Sequence, residues 1–192
     1  AFLEEIIVRK ELSDNFCLYN TSYDSFDGAP AWARKSLLMH ADDEREFTYS
    51  LEQLENAQTH DNAWNAAQMQ LRRTGKIHGY MRMYWAKKVL EWSPAEAREE
   101  PMLNGHPFRV KLHNQLSDLS GAAWAIAVLV YLNDFYSIDG GDPNGYVGIL
   151  WSVAGVHDRP WGKRPVFGAI RYMNDKGLAR KFSVKEYQNC WL

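Results

Sequence analysis

The chain has 192 residues, enough for one well-filled hydrophobic core and too few for two full domains. A formal net charge of -2 excludes a global basic field, so any polyanion must be held by local basic patches. Aromatic content is high, 14% with 8 Trp, which makes the placement of the large rings the question to follow along the chain. Cys17 and Cys190 form no CxxC pair, which speaks for a reducing compartment and against a disulfide framework or a zinc ribbon. No apolar run approaches membrane-spanning length, and residues 1–20 lack the shape of a signal peptide. The chain opens with Ala inside an amphipathic pattern, and is expected to be a piece of something longer.

In chain order, Phe2, Leu3, Ile6 and Ile7 recur at helical spacing over residues 2–12, with Glu5, Arg9, Leu12 and Phe16 on a neighbouring stripe. Glu5 there is either an i,i+4 partner of Arg9 or a residue with a task of its own. A Tyr-, Asp- and Gly-rich loop over 19–30 leads through Pro30 into a helix at about 31–40. Thr59 or Asp61 can cap a helix running to Arg73, with Trp64, Gln68 and Leu71 on one face and Gly75 in the turn after it.

Thr74–Trp92 then reads as one helix loaded with two Trp, two Tyr, two Met and four basic residues. Ile77, Met81, Trp85, Val89 and Trp92 fall along one side, while Lys76, Tyr80, Lys87 and Lys88 point elsewhere. Trp85 and Trp92 are two turns, about 10 Å, apart, and stacked indoles beside Arg82 and Met83 suit a ligand with a large flat face. Residues 98–123 show no period and read as a long irregular loop. An apolar helix follows from Ala122 to about Asp134, then a tight turn over Asp139–Tyr146. From Trp151 onward Gly and Pro are too frequent for long helices. The pattern predicts a surface-forming loop region, a short ordered run at Ile170–Met173, at most a small hairpin, and a basic tail. The fold class is all-α.

Stock chemical sites are absent. The turn at Gly140–Gly145 fails as a calcium loop because its first and twelfth ligand positions are Gly140 and Trp151. The six His make no HExxH or Cys/His cluster, so no metal site is specified. Arg82 and Asp139 would form a sensible charge pair, beside a cofactor or in a core. Trp64, Trp85 and Trp92 are either core anchors or an electron relay. Trp151 and Trp161 could stack on an exposed base, with Lys163, Arg164 and Arg171 holding phosphates. Residue chemistry alone leaves a nucleotide or nucleic-acid ligand and a plain helical scaffold both open.

Four segments decide between them: Glu4–Phe16, Thr74–Trp92 with its Thr74-Gly75-x-x-His78-x-x-x-Arg82-Met83 core, Asp139–Gly148 and His157–Trp161. Together they resemble the class II cyclobutane pyrimidine dimer photolyases of the photolyase/cryptochrome superfamily. The resemblance covers nearly the whole chain except residues 98–123, which look like an insertion of about 26 residues near the Asn133 region.

It implies residues 1–192 as the C-terminal part of an all-helical FAD-binding domain, with an N-terminal antenna domain and the FAD-phosphate cradle outside the chain. It implies FAD as cofactor, UV-damaged DNA as partner, a monomer, no membrane, and an intracellular, nuclear setting. Light would drive an electron from reduced FAD into a dimer flipped out of the duplex. By this resemblance Glu5 and Met83 touch the lesion and Trp151 flanks it. Lys163 and Arg164 hold DNA. Trp64, Trp85 and Trp92 carry electrons, with Trp85 nearest the flavin. Asn133 faces flavin N5, while Arg82, Asp139 and Asn144 line the flavin pocket. Asp158 and Trp161 lie in a loop near that pocket. A flavin light sensor without repair, or an inactive truncated product, are the alternatives.

Overall fold

The computed structural model describes residues 3–95, 102–103, 106–107, 120–181 and 183–192, without the side chains of Glu5 and of the four residues at 102–107. Among them are nine α-helices: α1 (Lys10–Tyr19), α2 (Ala31–Leu38), α3 (Leu51–Glu55), α4 (Asn62–Thr74), α5 (Gly79–Glu91), α6 (Gly121–Tyr136), α7 (Pro143–Ala154), α8 (Asp175–Ala179) and α9 (Val184–Trp191). A π-helical segment, Glu4–Arg9, leads into α1. The all-α expectation holds. The one ladder among the described residues is a two-residue antiparallel pair, β1 (Met102–Leu103) with β2 (His106–Pro107), inside the stretch read as irregular loop. The end of the stretch expected as insertion, residues 120–123, is the cap and first turn of α6; the rest of 98–119 lies outside the described residues.

Local chemistry sets the helix ends. Asp61 accepts from the main-chain N–H groups of Ala63 and Trp64 (2.9 and 3.0 Å) and starts α4, and Gly75 at φ 72° closes it. That closure corrects the single helix expected over 74–92: Lys76, Ile77 and His78 are irregular and α5 begins at Gly79. The turn at Gly75 is fixed from outside, because its carbonyl accepts from Ile138 N–H (2.9 Å). A Cβ on Gly75 would lie 2.4 Å from Ile138 Cγ2.

A second correction concerns 139–154. The tight turn expected over 139–146 gives way at Pro143 to the twelve-residue α7, which carries Trp151 in its last turn, with Asp142 as N-cap and Gly155 at φ 67° after its end, so the irregular stretch expected from Trp151 onward begins at Gly155. The tail also holds more order than its weak pattern suggested. α9 packs on α4, with Tyr187 buried and its hydroxyl on Gln70. The hairpin expected near the end is only an isolated bridge, Arg164 with Gly168.

α5 and α7 are the centre. α5 packs against α4, α6 and α7, and α7 also against α1 and α2. From Tyr84 to Leu90 every residue of α5 is buried, so the last two turns have no solvent face. Lys87 and Lys88, expected to point away from the core, are therefore buried too, at 2% and 8% exposure. Lys87 reaches the carbonyls of Ser152 (2.7 Å) and Arg171 (2.5 Å), tying α7 to the loop after it. Lys88 pairs with Glu91 (2.9 Å).

Candidate functional site

Three of the expected residues converge where α5, α6 and the turn after α6 meet. Arg82 binds Asp139 through two bonds, Nη1 to Oδ2 at 2.8 Å and Nη2 to Oδ1 at 2.9 Å, and its Nη2 also donates to Asn133 Oδ1 at 2.6 Å. This two-pronged geometry is the strong form of a guanidinium–carboxylate contact. The Arg82 bonds, joined by the Ser137 hydroxyl, hold the Asp139 carboxyl down at about 2 despite partial burial. Both charged side chains keep 34% exposure, so the cluster opens outward rather than closing a core.

Asn133 is 1% exposed and its amide packs on Gly145 of α7, where a Cβ would come within 2.7 Å of Nδ2. The glycine is a packing requirement. Asn144, the residue before it, is exposed and directs its amide to Asp142 (2.9 Å) rather than to the cluster.

On the inner side of α5, three residues from Arg82 and so beside it, Trp85 is buried at 1% exposure. Trp64 and Trp92 are buried as well. The indoles of Trp85 and Trp92 do not stack as expected. It is Trp64, from α4, whose ring meets Trp92 edge-on at 5.7 Å, and whose Nε1–H donates to the Trp85 carbonyl at 2.9 Å. Trp92 continues outward to Tyr49 (5.2 Å) and His60 (5.4 Å), whose side chains contact each other, and lines a cleft of 560 Å³. Sequence reasoning missed one member of this series: Gln68, fully buried, accepts from Trp85 Nε1–H at 2.9 Å. Its position one turn after Trp64 was the available signal.

A second aromatic cluster forms around Arg171. The guanidinium lies 5.6 Å from the Trp151 ring and 4.4 Å from that of Trp161, and pairs with Asp158 at 3.3 Å. Trp161 is exposed and also carries Arg159 over its face at 5.3 Å. One guanidinium thus serves two indoles, Trp151 on α7 and Trp161 on the following loop.

Arg164 does not join it. It lies over Tyr172 (4.8 Å) and lines the cleft beside Trp92, while Lys163 is simply exposed. Met83 is half-buried on α5 next to Arg82. The Glu5 side chain lies outside the described residues, and Arg9 binds Glu4 at 3.2 Å.

Among the described residues no group of three or more His, Cys, Asp or Glu could hold a metal ion. No helix among them is long and apolar enough to cross a membrane.

No family model matches the chain. Among curated proteins it is similar to enzymes named deoxyribodipyrimidine photo-lyase. It is 52% identical over 187 residues to those of Oryza sativa subsp. japonica and Arabidopsis thaliana, and 49% identical over 189 residues to that of Potorous tridactylus. Each match takes in 97% of this chain, which spans 32%, 32% and 30% of those relatives, about a third of their length.

Proposed function

We infer, for a chain that belongs by sequence to the deoxyribodipyrimidine photo-lyase family, that it supplies the flavin-facing and lesion-facing walls of an enzyme that splits pyrimidine dimers with light. The observation that carries this reading is the placement, on either side of α5, of a partly exposed polar cluster around Arg82 and a buried series of indoles around Trp85. A packed core has no need of that combination.

The donor set of Arg82, Asn133 and Asp139 fits the polar edge of an isoalloxazine. Guanidinium N–H groups suit ring carbonyls, and an amide suits a ring nitrogen that gains and loses a proton. FAD, when bound, supplies the one-electron chemistry, and these residues orient it and set its electrostatic surroundings. Trp64, Trp85 and Trp92 give a dry route for electrons between the interior and the cleft.

On the DNA side, Trp151 and Trp161 offer stacking faces worth roughly 1–3 kcal/mol per base. That is comparable with the few kcal/mol needed to take a damaged base out of the duplex. Glu5 and Met83 are assigned to the lesion, Lys163 and Arg164 to phosphates, and Asn144 to the pocket rim. The partner is UV-damaged nuclear DNA and the working protein a monomer.

The test is repair of a dimer-containing oligonucleotide by the flavin-loaded full-length protein, in light and in darkness. Dimer loss only in light is expected, with a large drop on Trp151→Ala. Bound flavin without light-dependent repair would overturn the reading in favour of a sensor.

A further inference from the structure

The two inner indoles share one kind of hydrogen-bond partner. Trp85 Nε1–H donates to Gln68 Oε1 and Trp64 Nε1–H to the Trp85 carbonyl, each at 2.9 Å. The Gln68 amide is not free to turn over, because its Nε2 donates to the Glu55 carbonyl at 3.2 Å. Both acceptors are amide oxygens, which accept hydrogen bonds well and take up protons very poorly.

Two charged side chains lie on the Glu55 side of Gln68, and neither accepts from the Trp85 indole. The Glu55 carboxylate is held by the hydroxyls of Tyr131 (2.6 Å) and Tyr136 (2.8 Å), and Arg72, which has only donors to offer, shares the Glu55 carbonyl with Gln68 at 3.1 Å. Trp92, by contrast, lines the cleft and stands against His60 and Tyr49.

An indole that has lost one electron is a far stronger acid than the neutral ring. Beside a carboxylate or imidazole its proton would leave, and the resulting neutral radical would be trapped where it formed. We propose that Gln68 is a positioning residue that keeps the Trp85 proton in place during one-electron oxidation, so that the vacancy moves on through Trp64 to Trp92. This rests on the flavin reading above.

In balance, one electron passes from Trp85 to the light-excited flavin and no proton moves. Trp64 refills Trp85, and Trp92 refills Trp64. At Trp92 the proton is released to water in the cleft. A soluble thiol then returns the electron, a proton is regained from water, and two sulfur radicals join as a disulfide. Gln68 also eases the first step, because a hydrogen bond from a cationic donor is stronger than one from a neutral donor, and more so away from water.

The experiment is flash transient absorption on the flavin-loaded full-length protein, reading the distinct spectra of cationic and neutral Trp radicals. Trp64→Phe holds the vacancy at Trp85, and its radical is expected to stay cationic until it recombines. Adding Gln68→Glu should convert it to the neutral radical at pH values where the new carboxyl is ionised, and leave it cationic below them. Gln68→Leu should reduce the yield of oxidised Trp85 roughly tenfold through loss of the charge-strengthened bond. Flavin binding and helical circular dichroism establish that each variant is folded. A neutral radical in Trp64→Phe alone, or no pH dependence in the Gln68→Glu double variant, would overturn the role of Gln68 while leaving the relay intact. Absence of any Trp radical in the unaltered, flavin-loaded protein would overturn both.

Discussion

Replacing Asp139 by Asn isolates the electrostatics of the cluster that faces outward from α5. Its two bonds from Arg82, with the Ser137 hydroxyl, hold the carboxyl at about 2 against an ordinary 3.8. That gap of nearly two pH units corresponds to an upper bound of roughly 2 kcal/mol in favour of the folded chain. With 34% of both side chains exposed, solvent screening reduces this to about 1–2 kcal/mol. Because folding lowers this pKa, the contribution is complete above pH 3.8 and disappears as the pH falls through about 2. Urea denaturation followed by Trp fluorescence should show Asp139→Asn less stable by about 1–2 kcal/mol at neutral pH, with the two proteins converging in acid. A deficit that stays constant down to the acid limit would refute the reasoning, since it would come from packing and not from charge.

Lys87→Met keeps the apolar stem but leaves the carbonyls of Ser152 and Arg171 without their donor, at a cost of about 2–4 kcal/mol by urea denaturation. Burial, and then the nearby Arg171, lowers the Lys87 pKa from 10.5 to about 8. Between those values the unfolded chain binds a proton that the folded chain does not, so wild-type stability should rise with pH there and the variant should lack that slope. Gly145→Ala sets a Cβ 2.7 Å from Asn133 Nδ2 and should destabilise by about 1–3 kcal/mol while weakening flavin retention. Gly148→Ala, in the same helix with nothing within 4 Å of the new Cβ, should be neutral or stabilise by up to about 1 kcal/mol in the same melt.

What could be read along the chain was what depends on neighbours in sequence. α4 was legible because Asp61, the Trp64–Gln68–Leu71 face and Gly75 are a cap, a stripe and a stop within fifteen residues. The same Gly75 was a warning that Thr74–Trp92 is not one helix, and its left-handed conformation decides the matter. α7 was missed because Gly145 and Gly148 weigh against a helix by propensity, whereas Asp142, Pro143 and Gly155 are its true start and stop signals. Gly145 is there for Asn133, a contact between helices that no local pattern carries.

The site divides in the same way. The Arg82–Asp139 pair follows from charge complementarity, and the buried Trp64, Trp85 and Trp92 from their residue type. The Gln68 bond to Trp85 and the Arg171 contacts with Trp151 and Trp161 need the tertiary fold. Lys87 and Lys88 are the clearest failure. Amphipathic reasoning gives a helix one wet side, and the last two turns of α5 have none.

The most direct measurement is photoreduction of bound flavin in the full-length protein and in its Trp85→Phe variant, with a thiol as the final donor. Illumination should bleach the oxidised flavin absorbance in the unaltered protein and proceed at least about tenfold more slowly in the variant, an activation barrier higher by about 1.4 kcal/mol or more. Equal rates in the two proteins, with flavin equally bound, would contradict an electron route through α5.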